Sequence, residues 1–309
     1  MSIISELTDI FTSKLGTDLF SKTGDFITGI APIFSAGLSL YLLLLVFYYY
    51  NRGLDDAILD IFKRVIVWLI IIAFAFNAGT YTKLASFIYA LPDDLSSLFG
   101  GEQTTASAVE TGVQNVDKMV ANIGLISEDA NWYEWDVHLP VFGGQVGAYL
   151  MGYWLLLLAF AYYLITKVCL ALTLMVGPLF LGAALFPGTR QFAMNWIGQC
   201  LNYTVTIVLF AIISKMQSEF VATHVSNWAG DNSTWDIVKL WDIMTQLIAM
   251  TILFTLVSLS VPSIAAALTG GAQADSHGRT VSRFVGGMRR MTGTMNFGRP
   301  GKANRAGKN

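Results

Sequence analysis

Apolar residues in this chain fall into long blocks that are separated by short polar segments. Five blocks are long enough to cross a bilayer core of about 30 Å as helices. They cover residues 27–50, 65–82, 143–190, 191–214 and 243–268. The pattern therefore predicts an all-α, polytopic membrane protein with about five transmembrane helices.

Two polar segments also carry apolar residues at helical spacing. Residues 1–26 predict an amphipathic helix, which either lies in the membrane interface or packs against the first span. Residues 54–64 place their acids and bases opposite an apolar face, which predicts an interfacial elbow helix on the cytoplasmic side. With this elbow, the first two spans make up the unit 27–92.

The block 143–190 is longer than one crossing requires. An unbroken helix over 146–176 would extend about 46 Å, with Lys167 as its one charge. Gly177 and Pro178 are predicted to end this helix, because proline lacks a backbone donor and restricts the preceding residue. Either the helix projects from the bilayer, with Lys167 at the inner headgroups, or the chain turns back as a re-entrant hairpin at 177–178.

The distribution of charge predicts the orientation. Residues 93–139 hold nine acids and one base, whereas residues 269–309 hold eight bases and one acid. Basic segments stay in the cytoplasm, and segments poor in lysine and arginine are translocated. We therefore expect 93–139 to be a periplasmic loop and 269–309 a cytoplasmic tail, disordered when free. With 216–242 also periplasmic, 140–268 holds three crossings, which makes five in total and leaves the N-terminus in the periplasm.

The composition argues against catalysis. Hydrophobic residues make up 54% of the chain and charged residues 13%. The three histidines form no pair with cysteine at metal-ligand spacing, and no glycine-rich phosphate loop is present. The acids all lie outside the apolar blocks, unlike those of ion-coupled transporters. We predict a protein that is not an enzyme, with no catalytic residue, no metal ligand and no cofactor.

Residues at the central break are the main functional candidates. We predict structural or assembly roles for Lys167, Gly177, Pro178, Arg190 and Trp196. In the tail, four arginines are predicted to contact phospholipid or an acidic partner; these are Arg279, Arg283, Arg289 and Arg290. The acidic segment 93–139 repels phosphate, so it is expected to dock a protein rather than DNA.

One run of residues around the break resembles a known family. It comprises Lys167, Ala171, Leu172, Gly177, Pro178, Leu179, Phe180, Leu185, Phe186, Pro187, Thr189, Arg190, Phe192 and Trp196, with Asn202 and Tyr203 in the next helix. The run is similar to the polytopic inner-membrane subunit of bacterial type IV secretion and conjugation systems, the TrbL/VirB6-like family.

The resemblance implies a multi-pass protein of the bacterial inner membrane that supports pilus assembly and the transfer of DNA or protein across the envelope. It also implies a homo-oligomeric ring, pentameric in the family. The implied partners are the minor pilin at the stalk, the major pilin, bitopic scaffold proteins, the secretion ATPases and the translocated substrate.

The break suggests a mechanism. Helices on either side of Gly177 and Pro178 would pack at an angle and create a lateral face that holds pilin, with Trp196 anchoring the second helix at the inner membrane interface. Two other classes stay open at this point, a stand-alone membrane channel or exporter and a passive scaffold.

Overall fold

The computed structural model describes residues 15–50, 57–100, 105–128, 130–229 and 237–270, together with residues 6 and 10. Within these ranges the chain forms eight main helices and no strand. They are α1 (Leu15–Tyr50), α2 (Ala57–Ala75), α3 (Ala78–Gly100), α4 (Thr105–Leu125), α5 (Trp135–Met175), α6 (Gly177–Ala183), α7 (Arg190–Ala229) and α8 (Ile237–Leu268).

Four of these helices are long and apolar enough to cross a membrane individually, namely α1, α5, α7 and α8. The pair α2 and α3 makes a fifth candidate if the two count as one bent span. The prediction of an all-helical membrane protein with about five transmembrane helices is therefore confirmed.

Helix α5 is the centre of the bundle and packs against α4, α7 and α8. Small residues on its buried face allow close approach. A Cβ atom added at Gly144 would lie 2.9 Å from a methyl carbon of Leu240 on α8, and one at Gly152 would lie 2.7 Å from Val116 on α4. Larger side chains at either position would separate the helices that surround α5.

Helices α5 and α7 run antiparallel. The indole of Trp196 reaches Thr173 near the junction, and further along the pair the rings of Tyr162 and Phe210 stack with centroids 5.0 Å apart. The seven-residue α6 and the turn at 184–189 connect them. Block 143–190 thus forms one long helix and a short second helix, and the chain then returns along α7.

Several predicted boundaries differ from the structure. Helix α1 continues through the predicted border between residues 26 and 27, and α2 joins the end of the predicted elbow to the second span without a break. The predicted span 65–82 is bent by 76° between Ile61–Ala75 and Ala78–Phe99. The bend coincides with a helix cap, because the side-chain oxygen of Asn77 accepts the Thr80 backbone N–H at 3.1 Å.

The segment 93–139, predicted as a loop, is largely helical. Helix α3 continues to Gly100, and α4 buries one face against α5. Its buried residues recur at intervals of three and four and are Val109, Gly112, Val116, Met119, Val120 and Ile123. This amphipathic period was obscured in the sequence by the acids on the opposite face. The four tail arginines and most of the segment 1–26 lie outside the described residues.

Candidate functional site

The junction between α5 and α6 is where side chains from distant helices replace missing backbone donors. Pro178 has no N–H, so the carbonyl of Leu174, four residues earlier, loses its normal helical partner. The hydroxyl of Tyr81 on α3 donates a hydrogen bond to that carbonyl. The proline that breaks the helix is thereby compensated by a residue 93 positions away in the chain.

The neighbouring carbonyl is bonded in the same way from the other side. The indole N–H of Trp196 on α7 donates to the Thr173 carbonyl at 2.8 Å. The expected anchoring of α7 by Trp196 at the inner membrane interface stays a prediction. Within the protein, Trp196 is only 6% exposed. Its role at this position is to hold the end of α5 against the start of α7.

Gly177 is required by the space between these two side chains. A Cβ atom there would collide with the Tyr81 hydroxyl and lie 2.5 Å from Cζ2 of Trp196. Gly177 and Pro178 are both buried. The two residues that the sequence singled out as a break therefore form a packed junction with Tyr81 and Trp196.

Lys167 lies two turns before the junction on the same helix and is buried, with 2% of its surface exposed. Its ammonium group forms an ion pair with Asp93 of α3. The Tyr163 hydroxyl donates to the other carboxylate oxygen at 3.0 Å, and the ammonium lies 4.7 Å from the centre of the Tyr89 ring. Carboxylate, hydroxyl and aromatic face together stabilise a cation that would be costly in an apolar interior.

The ion pair is incompatible with the two predicted depths taken together. The sequence placed Asp93 in the outer acidic segment and Lys167 at the inner headgroups. Because the two side chains touch, they lie at the same depth. The Asp93 side chain on α3 is 46% exposed, whereas the Lys167 side chain on α5 is 2% exposed. The pair is therefore accessible only through its carboxylate.

Sequence reasoning missed Tyr81, Asp93, Tyr89 and Tyr163. A usable signal existed for the last three, since Tyr89 precedes Asp93 by four residues and Tyr163 precedes Lys167 by four, which places each pair on one helix face. A lone lysine in an apolar block also requires an acid. The partner was not identified because 93–139 was treated as a separate loop.

Arg190 is not part of this junction. It is the first residue of α7, is exposed, and lines a separate cavity with Lys63 and Arg64 of α2. The structure thus brings together Gly177, Pro178 and Trp196, places Lys167 two turns away on the same helix, and separates Arg190 from all of them.

The polar groups of the junction connect the helices that meet there. They are engaged with one another or with backbone carbonyls. Across the described residues, no group of three histidine, cysteine or acidic side chains is placed to hold a metal ion. What the arrangement does is join α3, α5 and α7 at one level of the bundle.

Comparison with known proteins covers this whole region. A family model described as the TrbL/VirB6 plasmid conjugal transfer protein matches residues 38–260. A curated relative, the type IV secretion system protein VirB6 of Bartonella quintana (strain Toulouse), is 22% identical over 256 residues. That alignment covers 79% of this chain and 74% of the relative. All the junction residues lie within the matched range.

Proposed function

Because the chain belongs to the TrbL/VirB6 family of plasmid conjugal transfer proteins, we propose that it acts as one subunit of a homo-oligomeric ring that supports pilus assembly and substrate transfer. Membership confirms the resemblance first seen in residues 167–203. It makes the protein an inner-membrane component of a type IV secretion system, which its apolar helices suit. Members of the family are structural components of secretion systems and not known enzymes.

The observation that carries the proposal is the junction itself. A subunit that supports a growing filament needs a helix scaffold that does not shift under load. Here the break in α5 is bonded from two sides by Tyr81 and Trp196, and the ion pair between Lys167 and Asp93 fixes α3 against the same helix. Breaks without such support bend or fray, because the freed carbonyls have no partners in an apolar medium.

The pilin-holding face is proposed on the outer surface of α5. At the break itself, Tyr81 and Trp196 pack against Gly177, so we place this face further along α5. Successive turns of α5 carry apolar and aromatic side chains around a surface cavity of about 540 Å³. The cavity is lined by Tyr149, Leu150, Tyr153, Trp154, Leu157, Leu158 and Ala161. An apolar surface of this kind suits the apolar helix of a membrane-inserted pilin.

We propose the remaining partners from the family as a whole. They are the minor pilin at the stalk, the bitopic scaffold proteins and the secretion ATPases. The proposed orientation has five crossings, a periplasmic N-terminus and a cytoplasmic tail, and it rests on the excess of basic residues in 269–309.

Deletion and complementation test the function. Removing the gene should abolish transfer of the system's DNA or protein substrate and the formation of pili, and the wild-type gene should restore both. Normal transfer in the deletion strain would contradict the proposal. Ion conductance by the purified protein alone in liposomes, without the other subunits, would favour a stand-alone channel instead.

Two substitutions at the junction test the proposed role in pilus assembly. Pro178→Ala should alter the break, and Trp196→Phe should remove the indole N–H while keeping most of the ring volume. Both are expected to reduce piliation while the protein still inserts in the membrane. Gly143→Ala is the matched control, because a Cβ atom there meets nothing within 4 Å. Full piliation in both junction variants would contradict the role.

Cysteine labelling tests the orientation. In a variant whose Cys169 and Cys200 are replaced by serine, a membrane-impermeant reagent should label Asn131→Cys in intact cells. It should label Arg190→Cys only after permeabilisation. Lys167→Cys should stay unlabelled in both cases because that position is buried. Labelling of Arg190→Cys in intact cells would overturn the orientation.

A further inference from the structure

A second cavity lies between α1, α2, α6 and α7. It measures about 620 Å³, within the range of small-molecule sites. Its lining includes three cations, Lys63, Arg64 and Arg190. Among the residues that the structure describes, no acid lines it. The cavity is therefore a concentration of positive charge beside an apolar wall.

The cations and the apolar wall are ordered along the helices. On α2, Lys63 and Arg64 precede Val67, Trp68 and Ile71, which also line the cavity. On α7, Arg190 precedes Ala193, Met194 and Ile197. Each helix thus leads from a cation into an apolar surface, which is the pattern that an amphiphile with an anionic head matches.

Lys63 and Arg190 are the two cations that favour an anionic ligand here. In the part of the chain that the structure describes, neither Lys63 nor Arg190 forms a salt bridge; the ion pairs there are Lys167 with Asp93 and Lys215 with Glu219. Arg64 donates a hydrogen bond to the Tyr41 hydroxyl at 3.3 Å. That contact holds the Arg64 side chain at the cavity.

We infer that this cavity is a binding site for an anionic phospholipid, whose phosphate contacts Lys63 and Arg190 and whose acyl chain enters along Trp68 and Ile197. The inner end of the cavity is well packed, since Trp68, Leu185 and Ala193 are buried. Met194 and Ile197 are exposed at its edge, so the rest of a lipid continues into the bilayer. In the proposed orientation the site faces the inner leaflet.

Native mass spectrometry of the full-length protein in neutral detergent tests this site. The affinities for phosphatidylglycerol and for phosphatidylethanolamine are measured in separate titrations and compared. Glycerol 3-phosphate serves as a third ligand, which has the phosphate but no acyl chains. Phosphatidylglycerol should bind most tightly, and the double variant Lys63→Gln/Arg190→Gln should weaken it about thirtyfold, as about fivefold per basic residue implies. The control Lys83→Gln/Lys118→Gln removes the same charge from exposed positions elsewhere and should change binding less than twofold.

A second variant separates the apolar wall from the charges. Met194→Trp keeps all three cations and fills the edge of the cavity, so it should also weaken phosphatidylglycerol binding. Three results would overturn the inference: equal loss in the control pair, equal affinity for phosphatidylethanolamine, or equal affinity for glycerol 3-phosphate. Binding of a soluble acidic peptide in place of the lipid would assign the cavity to a protein partner instead.

Discussion

Two short interruptions between helices of the bundle are held in different ways. At Phe76 and Asn77 the chain bends by 76°, and Asn77 caps the next helix with its own side chain. At Gly177 and Pro178 the freed carbonyls are bonded by Tyr81 and Trp196, which come from two other helices. The first interruption is local, whereas the second depends on the assembled bundle.

This difference predicts where substitutions will matter. Substitutions at the bend should lower the free energy of unfolding by no more than the contribution of one helix cap. Changes around the junction should disturb three helices together, because α3, α5 and α7 meet there.

The largest effect is expected for Asp93→Ala, which leaves the buried ammonium of Lys167 without its acid. Loss of one partner of a buried pair costs about 3 kcal/mol of unfolding free energy. Denaturation in detergent measures it. Asp94→Ala is the control, since Asp94 is an exposed acid next to Asp93 in the chain. A similar loss of unfolding free energy in both variants would show that the ion pair does not stabilise the protein.

Gly177→Val should follow, at about 1–3 kcal/mol, because the new side chain must displace Tyr81 or Trp196. The same substitution at Gly143, where added atoms meet open space, supplies the comparison. Equal melting temperatures for the two valine variants would show that the junction is not tightly packed.

A double-mutant cycle examines the hydrogen bond from Tyr81. Tyr81→Phe should cost about 1–3 kcal/mol, since the Leu174 carbonyl is left without a donor. In a Pro178→Ala background, the new backbone N–H of residue 178 donates a hydrogen bond to the Leu174 carbonyl. Tyr81→Phe should therefore lower the unfolding free energy by less in that background. Equal costs in both backgrounds would disprove the proposed compensation.

Asn77→Ala should have the smallest effect, about 1 kcal/mol, because it removes one capping bond at the exposed bend. Asn77→Asp keeps a capping oxygen and should restore the melting temperature. If Asn77→Ala proved as costly as Gly177→Val, the contrast between a local and a tertiary break would be lost.

The two interruptions also explain which parts of the structure were predictable. A Gly-Pro pair in an apolar helix acts through its own backbone, so the end of α5 was predicted from the sequence. The bend at Asn77 lies inside a continuous apolar block, and its cap was overlooked. Tyr81 and Asp93 lie 93 and 74 residues from their partners, so periodicity and spacing along the chain do not connect them.

The span count was predictable for a similar reason. Block length and apolar composition are properties of single segments. They predicted about five spans, and the described residues contain four, or five if the bent pair α2 and α3 counts as one. The packing of α4 on α5 was missed because net acidity dominated that segment over its apolar period. Arg190 was recognised as a candidate, but its companions Lys63 and Arg64 come from a different helix.

We propose that the junction, together with the ion pair two turns away on α5, contributes to secretion by holding the helices in place and not by moving a charge during transport. The most direct test measures substrate transfer in two variants, Asp93→Leu and Asp93→Leu/Lys167→Met. The two are compared with the wild type at equal amounts of the protein in the membrane. The single variant leaves a buried charge unpaired and should lose transfer. The double variant replaces the pair by apolar side chains, which is often tolerated, and should recover transfer to near the wild-type level. A stable double variant that is as defective as the single one would contradict the claim and assign the ion pair a direct part in transport.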